Sequence, residues 1–381
     1  MVLSTAVTEN VFTEKFNAII REDEPANVAE LRKAAFEHFG EARFPTQHNE
    51  DWKYTNAAKA AAAANWDIAS FPSELKDDAE FTELLAQFDA KQDGFAALHL
   101  AFADIICLKI EPDTIIDEPI EFNFAPESGT AIFPHILVIA GAGSKATIIE
   151  NYQGSGFTNA AIQIIVEDNA NLTHYRIQRD TTEALHIGNS HATLGRGSSY
   201  NSTNINLGAA LFRHGANVKF TAEGAEAWVD GLYMLGGEQH SDTHSVIDHT
   251  VPNCLSHQTY KGVLNDKSRA VFNGKVFVRL NASGTDAQQS NKNLLLSNDA
   301  RVDTKPQLEI FNDDVKCSHG ATVGQLEDEE LFYLLTRGLP ETLAKNLLTY
   351  GFAEEIIDKI EVEEIKAELD AIVLNRLNTK I

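Results

Sequence analysis

Cysteine is scarce in this chain. Cys107, Cys254 and Cys317 are the whole supply in 381 residues, they lie far apart, and no CxxC pair occurs. An odd, scattered set builds neither a disulfide framework nor a closed four-thiolate zinc site. Long apolar runs are missing as well, since none approaches the ~20 residues that a membrane-spanning helix needs. The opening Met1-Val2-Leu3-Ser4 turns polar too soon to read as a secretory leader. Positive charge is in short supply: 31 Lys and Arg stand against 56 Asp and Glu, a net charge of −25. Such a surface repels phosphate backbones and anionic headgroups, so neither nucleic acid nor membrane is an expected partner. No GxxxxGK[ST] occurs, so this chain is not itself a P-loop ATPase. The expected setting is the reducing cytoplasm.

Apolar residues make up 43% of the chain, enough for a sizeable core. The first 95 residues read as a helical domain. Thr8 caps a stripe of Phe12, Phe16, Ile19 and Ile20, and Val28, Leu31, Ala35 and Phe39 form a second stripe that Gly40 stops. An aromatic-rich loop, Glu50 to Thr55, precedes an alanine run from Ala57 to Ala64. A third amphipathic helix is expected from Ala79 to Phe88, and Gly94 marks a change of regime.

Residues 96–318 then read as a β-rich core. Short apolar runs (Leu98–Leu100, Ile105–Ile110, Ile136–Ala140, Ala161–Val166, Leu172–Ile177, Val271–Leu280) predict strands without long helices between them. Small polar turns recur at Gly143–Ala146, Asp168–Asn171, Gly197–Tyr200, His214–Asn217, Asp266–Arg269 and Asn298–Arg301. Several are two to three dozen residues apart, a coil-sized interval. So long a run of strands exceeds one sandwich, whereas stacked coils grow to any length, and a β-solenoid is the expected fold. Residues 319–381 return to helix. An acidic first turn at Glu327-Asp328 leads into Leu331, Leu334 and Leu335, ending at Arg337-Gly338. Pro340 starts a helix that carries Leu343, Leu347 and Leu348 to Gly351. Ile365, Leu369, Ile372, Val373 and Leu377 stripe the last one. So small a cap either packs on the solenoid or docks another protein.

Three motifs bear on chemistry. Gly141-Ala142-Gly143-Ser144-Lys145-Ala146 imitates a dinucleotide fingerprint, but Thr147-Ile148-Ile149 follows where a helix is required, so it reads as a turn. His240, Asp242 and His244 alternate, and on a strand they share one face. That geometry suits a transition-metal site, and a polar ladder is the competing reading. Cys317 and His319 likewise share one side of an extended segment, a pair suited to iron or iron–sulfur species. Two ligands hold no cluster alone, so a partner would have to supply the rest; a Cys–His nucleophile and a purely structural role are the other readings.

The stretch Asp303 to Gly338, with Lys316-Cys317-Ser318-His319-Gly320-Ala321-Thr322 at its centre, closely resembles the SufB/SufD family of iron–sulfur cluster assembly scaffolds. The resemblance extends through His249–Cys254, Tyr260–Val263, Phe272–Lys275 and Thr285–Gln289 to the Glu50–Thr55 loop. Gly320, where SufB-type chains carry Glu, and the absence of clustered N-terminal cysteines make it most like SufD.

The resemblance implies a right-handed parallel β-helix between N-terminal and C-terminal α-helical domains, and a non-catalytic scaffold subunit. Its implied partners are a SufB-like scaffold, met at the end of the β-helix, and a SufC-like ABC ATPase that holds the nucleotide. His319, and less directly Cys317, would be ligands of iron or of a transient cluster shared with SufB. Leu331, Phe332, Leu335, Arg337 and Gly338 would form the SufC dock. The resemblance says nothing about a flavin. Two alternatives stay open: a metalloenzyme built on His240, Asp242 and His244, and a SufD-type homodimer with a storage or regulatory role.

Overall fold

The computed structural model describes residues 12–18, 24–58, 61, 66–70, 75 and 78–378. Thr8, Ile19, Ile20, residues 59–60 and 62–64 of the alanine run, and the Leu377 side chain lie outside the described residues.

Two parallel sheets dominate. One runs β1 (Asp67–Ile68), β4 (Thr130–Ile132), β7 (Phe157–Val166), β9 (Leu185–Leu194), β11 (Leu211–Phe220), β13 (His240–His249), β15 (Arg269–Val278), β17 (Arg301–Ile310). Beside it, β2 (Asp104–Ile110) pairs with β5 (Pro134–Ala140), which pairs with β7. The other runs β3 (Ile120–Phe124), β6 (Lys145–Tyr152), β8 (Asn171–Gln178), β10 (Ser199–Asn206), β12 (Glu226–Leu235), β14 (Leu255–Leu264), β16 (Thr285–Leu295), β18 (Val315–Gly324). Neighbours in each sheet come from successive coils, so the chain is a parallel β-solenoid of about eight turns.

The corners explain the turn residues. Asp113, Gly143, Asn169, Gly197, Gly224, Asn253 and Gly284 all have positive φ, at steps of roughly 28 residues. Gly143 N–H bonds to Asp168 O, Asn169 N–H to Arg196 O and Gly284 N–H to Asp314 O, so each corner is stitched to the next coil. Only Gly, Asn or Asp takes this left-handed geometry cheaply. The Gly141–Ala146 stretch is one of these corners, and β6 follows it. His214–Asn217 is not a corner but mid-strand in β11. There a Cβ on Gly215 would meet Asn189 Oδ1 at 2.5 Å, so the glycine answers a packing need.

Leu98–Leu100 is helical, not strand. It belongs to α3 (Gly94–Phe102), which follows α1 (Ala26–Ala42) and α2 (Ala79–Ala86). Asp93 Oδ1 caps α3 by accepting from the N–H of Phe95 and of Ala96, both at 2.9 Å. Every residue of α3 is buried, so it carries no polar face and its sequence shows no helical stripe. It packs in one cluster with Phe12, Val28 and Phe39 and with Leu137, Phe157 and Ile187 from the outer face of the first sheet. Gly40 does not end α1, which runs to Ala42 and stops at Arg43, φ 58°. Arg32 rather than Leu31 is fully buried on α1, paired with Glu24 and donating to Leu100 O at 3.2 Å.

The C-terminal helices are α4 (Asp328–Thr336), α5 (Glu341–Ile357) and α6 (Glu363–Asn378). α5 runs past Gly351, and its buried side is Ala344, Asn346, Thr349, Ala353, Ile356 and Ile357. Leu343 and Leu347, expected in its apolar stripe, face out at 51% and 49% exposure. Ile356, Ile357, Ile365, Leu369 and Val373 close over Tyr175, Ile177, Leu232 and Val263 on the outer face of the second sheet. Lys261, buried on β14, donates to Phe352 O at 3.0 Å, and Lys359 pairs with Asp230 at 2.7 Å. Each helical domain thus covers one sheet.

The solenoid interior is partly polar, with an acid-labile consequence. His249 is fully buried, stacked on Phe220 with ring centroids 4.3 Å apart, its Nε2 2.8 Å from Ser256 Oγ. Burial pushes its pKa down to about 4, so it is neutral in the folded chain. The unfolded chain takes up the proton near 6.5, so stability is whole above that pH and falls as pH drops toward 4. The slope is about 1.4 kcal/mol per pH unit from this group. His249→Phe, which keeps the stack, is expected to flatten the urea-midpoint slope between pH 6.5 and 4.5. A slope equal to wild type would rule this out.

Candidate functional site

Burial falls away toward the last coil. β5 is buried at every residue, whereas β17 and β18 have none buried. Among the described residues β17 pairs only with β15, and β18 only with β16, so one edge of each sheet has no neighbouring strand there. Leu280, Ile310, Phe311 and Val323 add exposed apolar groups around this end, at 73%, 41%, 54% and 49%. Unpaired strand edges with exposed apolar groups are the kind of surface on which further strands can pair.

Cys317 and His319 both lie on β18. Cys317 packs against the solenoid core, and side chains two apart on a strand share a face, so His319 is on the inner face as well. Because no coil covers this one, the His319 side chain is open to solvent. Burial pushes the Cys317 thiol up from its ordinary value, so it is a protonated thiol at neutral pH. β18 continues through residues 318 and 319 to Gly324, so the final strand straddles the boundary placed there from sequence.

The helix α4 begins four residues after β18 ends. It buries no residue at all: Phe332, Tyr333 and Leu335 are 68%, 56% and 38% exposed, and Leu331 is half-buried. Arg337 lies over the Tyr333 ring at 5.0 Å, and Gly338, φ 86°, turns the chain into α5. Leu343 and Leu347 of α5 are exposed as well, and the first turn of α4 is acidic, with Asp328, Glu329 and Glu330. Beneath α4 lies a cleft of about 900 Å³ against the solenoid, lined by Leu235, Leu295, Leu296, Leu331, Asn346 and Arg376 among others. The helix thus stands off the solenoid, presenting an apolar face rimmed with acid. Tyr333 belongs to that face as well.

His240, Asp242 and His244 are brought together, on the outer face of β13, in the opposite sheet from Cys317 and His319. Their polar atoms are engaged in an ion-pair and hydrogen-bond network. Asp242 pairs with Arg213, accepts from the Thr55 hydroxyl at 2.5 Å, and lies 3.0 Å from His244 Nε2. His240 Nε2 is 2.8 Å from the same hydroxyl. Burial alone would raise the Asp242 pKa, but the Arg213 charge and the His244 and Thr55 hydrogen bonds hold it well below the usual carboxylate range. Arg213 Nη1 bonds Asp242 and is also 3.1 Å from His244 Nε2, so a guanidinium already bridges these two side chains. Among the described residues, no group of three or more His, Cys, Asp or Glu is placed to hold a metal ion.

Trp52 completes this constellation. Its ring lies under Arg213 at 3.9 Å and against Phe95, and its Nε1–H donates to Asp93 Oδ2 at 3.0 Å. The Glu50–Thr55 loop is therefore a latch that fastens the N-terminal helices to the first sheet. Arg213 was missed because a lone basic residue in a strand carries no local signal. No helix among the described residues is long and apolar enough to cross a membrane.

Comparison with known proteins bears on both ends of this geometry. The family described as SUF system FeS cluster assembly, SufBD core domain, matches residues 123–352, and the SufBD protein N-terminal region matches residues 8–81. An iron–sulfur cluster assembly SufBD family protein of Synechocystis is 31% identical, over 96% of this chain and 94% of its own. The iron–sulfur cluster assembly protein SufD of Escherichia coli is 37% identical over 66% of this chain and 60% of its own. SufD of Bacillus subtilis is 28% identical over 73% and 65%.

Proposed function

The chain belongs to the SufBD family of iron–sulfur cluster assembly proteins, and from that premise we propose that it is the SufD-like, non-catalytic scaffold subunit of a SUF assembly complex in the cytoplasm. In this reading β17 and β18 meet a SufB-like scaffold, and the nascent cluster forms between the two as cargo. His319 supplies one ligand from this side, with Cys317 as an auxiliary thiol. A SufC-like ATPase docks on α4 and carries the nucleotide, which this chain does not bind.

The observation that carries the reading is the unpaired last coil with Cys317 and His319 on its inner face. An open edge of this kind favours strand-to-strand pairing with a second solenoid, and an imidazole and a thiol at that edge suit iron. The same edge suits self-pairing, so a homodimer is the second reading for the isolated chain.

The test is His319→Ala in the reconstituted three-component complex. Because His319 is exposed on the last coil, the variant is expected to stay folded, losing no more than the one hydrogen bond that its ring can make inward. Cluster yield, read from absorbance and iron content, is expected to fall at least roughly tenfold. A wild-type yield would refute the ligand assignment.

A further inference from the structure

Directly beneath His319 in the ladder lies Gln289 of β16, paired with it in register. Gln289 alternates with exposed or half-buried neighbours and is 3% exposed, so its side chain points into the solenoid on the same face as His319. Parallel strands lie about 4.8 Å apart, so two inward side chains in register are within reach of each other. A Cβ on Gly274 across the core would meet Gln289 Nε2 at 2.4 Å; the glycine makes the room this amide occupies.

The amide is anchored at one end. Ser245 Oγ donates to Gln258 Oε1 at 3.1 Å, and Gln289 Nε2 donates to the same oxygen at 2.6 Å. That fixes which end of Gln289 faces the coil below. Its Oε1 is buried and has no hydrogen-bond partner among the described residues. A buried acceptor left unpaired costs about 1–3 kcal/mol, which a donor from the next layer would recover. The next inward residue on this sheet is His319, whose imidazole carries an N–H in either neutral tautomer.

We propose that Gln289 is the positioning residue for His319: its Oε1 accepts the hydrogen of one ring nitrogen and so sets the tautomer and the ring orientation. The other nitrogen then turns its lone pair to the open end of the solenoid, as a histidine ligand must. The inference rests on the reading of His319 as an iron ligand only for its consequence, not for the contact itself. Gln258 and Ser245 are the support that keeps the amide from turning over.

The test uses the full-length chain with ¹⁵N-labelled histidine, the His319 signals being identified by their loss in His319→Ala. Two-bond ¹⁵N–¹H correlation reports the tautomer. Wild type is expected to show one tautomer, Gln289→Leu an exchange-averaged mixture, and Gln289→Glu, which keeps an acceptor, the wild-type tautomer again. A folded Gln289→Leu with the wild-type tautomer overturns the proposal. Where the leucine variant does not fold, Gln258→Met unhooks the amide without altering Gln289 and is expected to give the same mixing. A wild-type tautomer there overturns the proposal equally.

Retention of Fe(II) by the assembled complex is a separate arm. Gln289→Leu is expected to weaken it roughly tenfold to a hundredfold. Tautomer mixing, with iron retention unchanged in both Gln289→Leu and His319→Ala, supports the contact and refutes the ligand reading.

Discussion

Phe332→Glu combined with Leu335→Glu is expected to abolish co-purification of the chain with a SufC-type ATPase while leaving its melting temperature within about 1 °C of wild type. No residue of α4 is fully buried and Phe332 is 68% exposed, so the substitutions remove little internal packing. An aromatic and a leucine that become buried on docking are worth about 1.5–3 kcal/mol each. Losing both, with two new charges beside an already acidic rim, weakens binding by well over a hundredfold. Retained co-purification would place the dock elsewhere. Truncation after Gln325 is a poorer test, because α5 and α6 cover Tyr175, Ile177, Leu232 and Val263 and their loss strips one sheet of its cover.

Arg213→Ala is expected to cost about 3–5 kcal/mol in urea unfolding, the effect of leaving one half of a buried ion pair behind. Asp242 would lose its main counter-charge while staying out of water, and Trp52 would lose the guanidinium stacked on it. Replacing the pair together, Arg213→Met with Asp242→Leu, is expected to recover most of that loss, because no charge is then stranded. A single-variant loss below about 1 kcal/mol would mean that the Glu50–Thr55 latch contributes little. Metal content is not expected to change in either variant, which separates this role from a metal site at His240, Asp242 and His244.

Much of the fold was legible because solenoid constraints are local and repeat. A left-handed corner demands Gly, Asn or Asp, and the column from Asp113 to Gly284 repeats that demand coil after coil. Apolar runs such as Ile136–Ala140 and Leu172–Ile177 sit within β5 and β8, as their composition predicts. The failures share one cause. α3 is covered on every side, so it has no periodicity to read, and Leu98–Leu100 looked like strand. The leucines of α5 formed a clear stripe, yet Leu343 and Leu347 face out, and the helix buries Ala344, Thr349, Ala353, Ile356 and Ile357 instead.

The site divides along the same line. Cys317 and His319 are two residues apart, and strand alternation alone puts them on one face. The alternation of His240, Asp242 and His244 was just as plain, but its meaning depends on Arg213 and Thr55, which are 29 and 187 residues from Asp242. No local pattern reports a charge partner brought in by coil stacking. The residues by themselves determined the repeat, the β class, the family and the inner face that His319 occupies. Only the tertiary structure decided which histidines are spent on a latch, which coil is left open, and that a buried glutamine lies under the exposed imidazole. Those outcomes depend on contacts between coils, each about 28 residues further along the chain, and on the Glu50–Thr55 loop that reaches across to them.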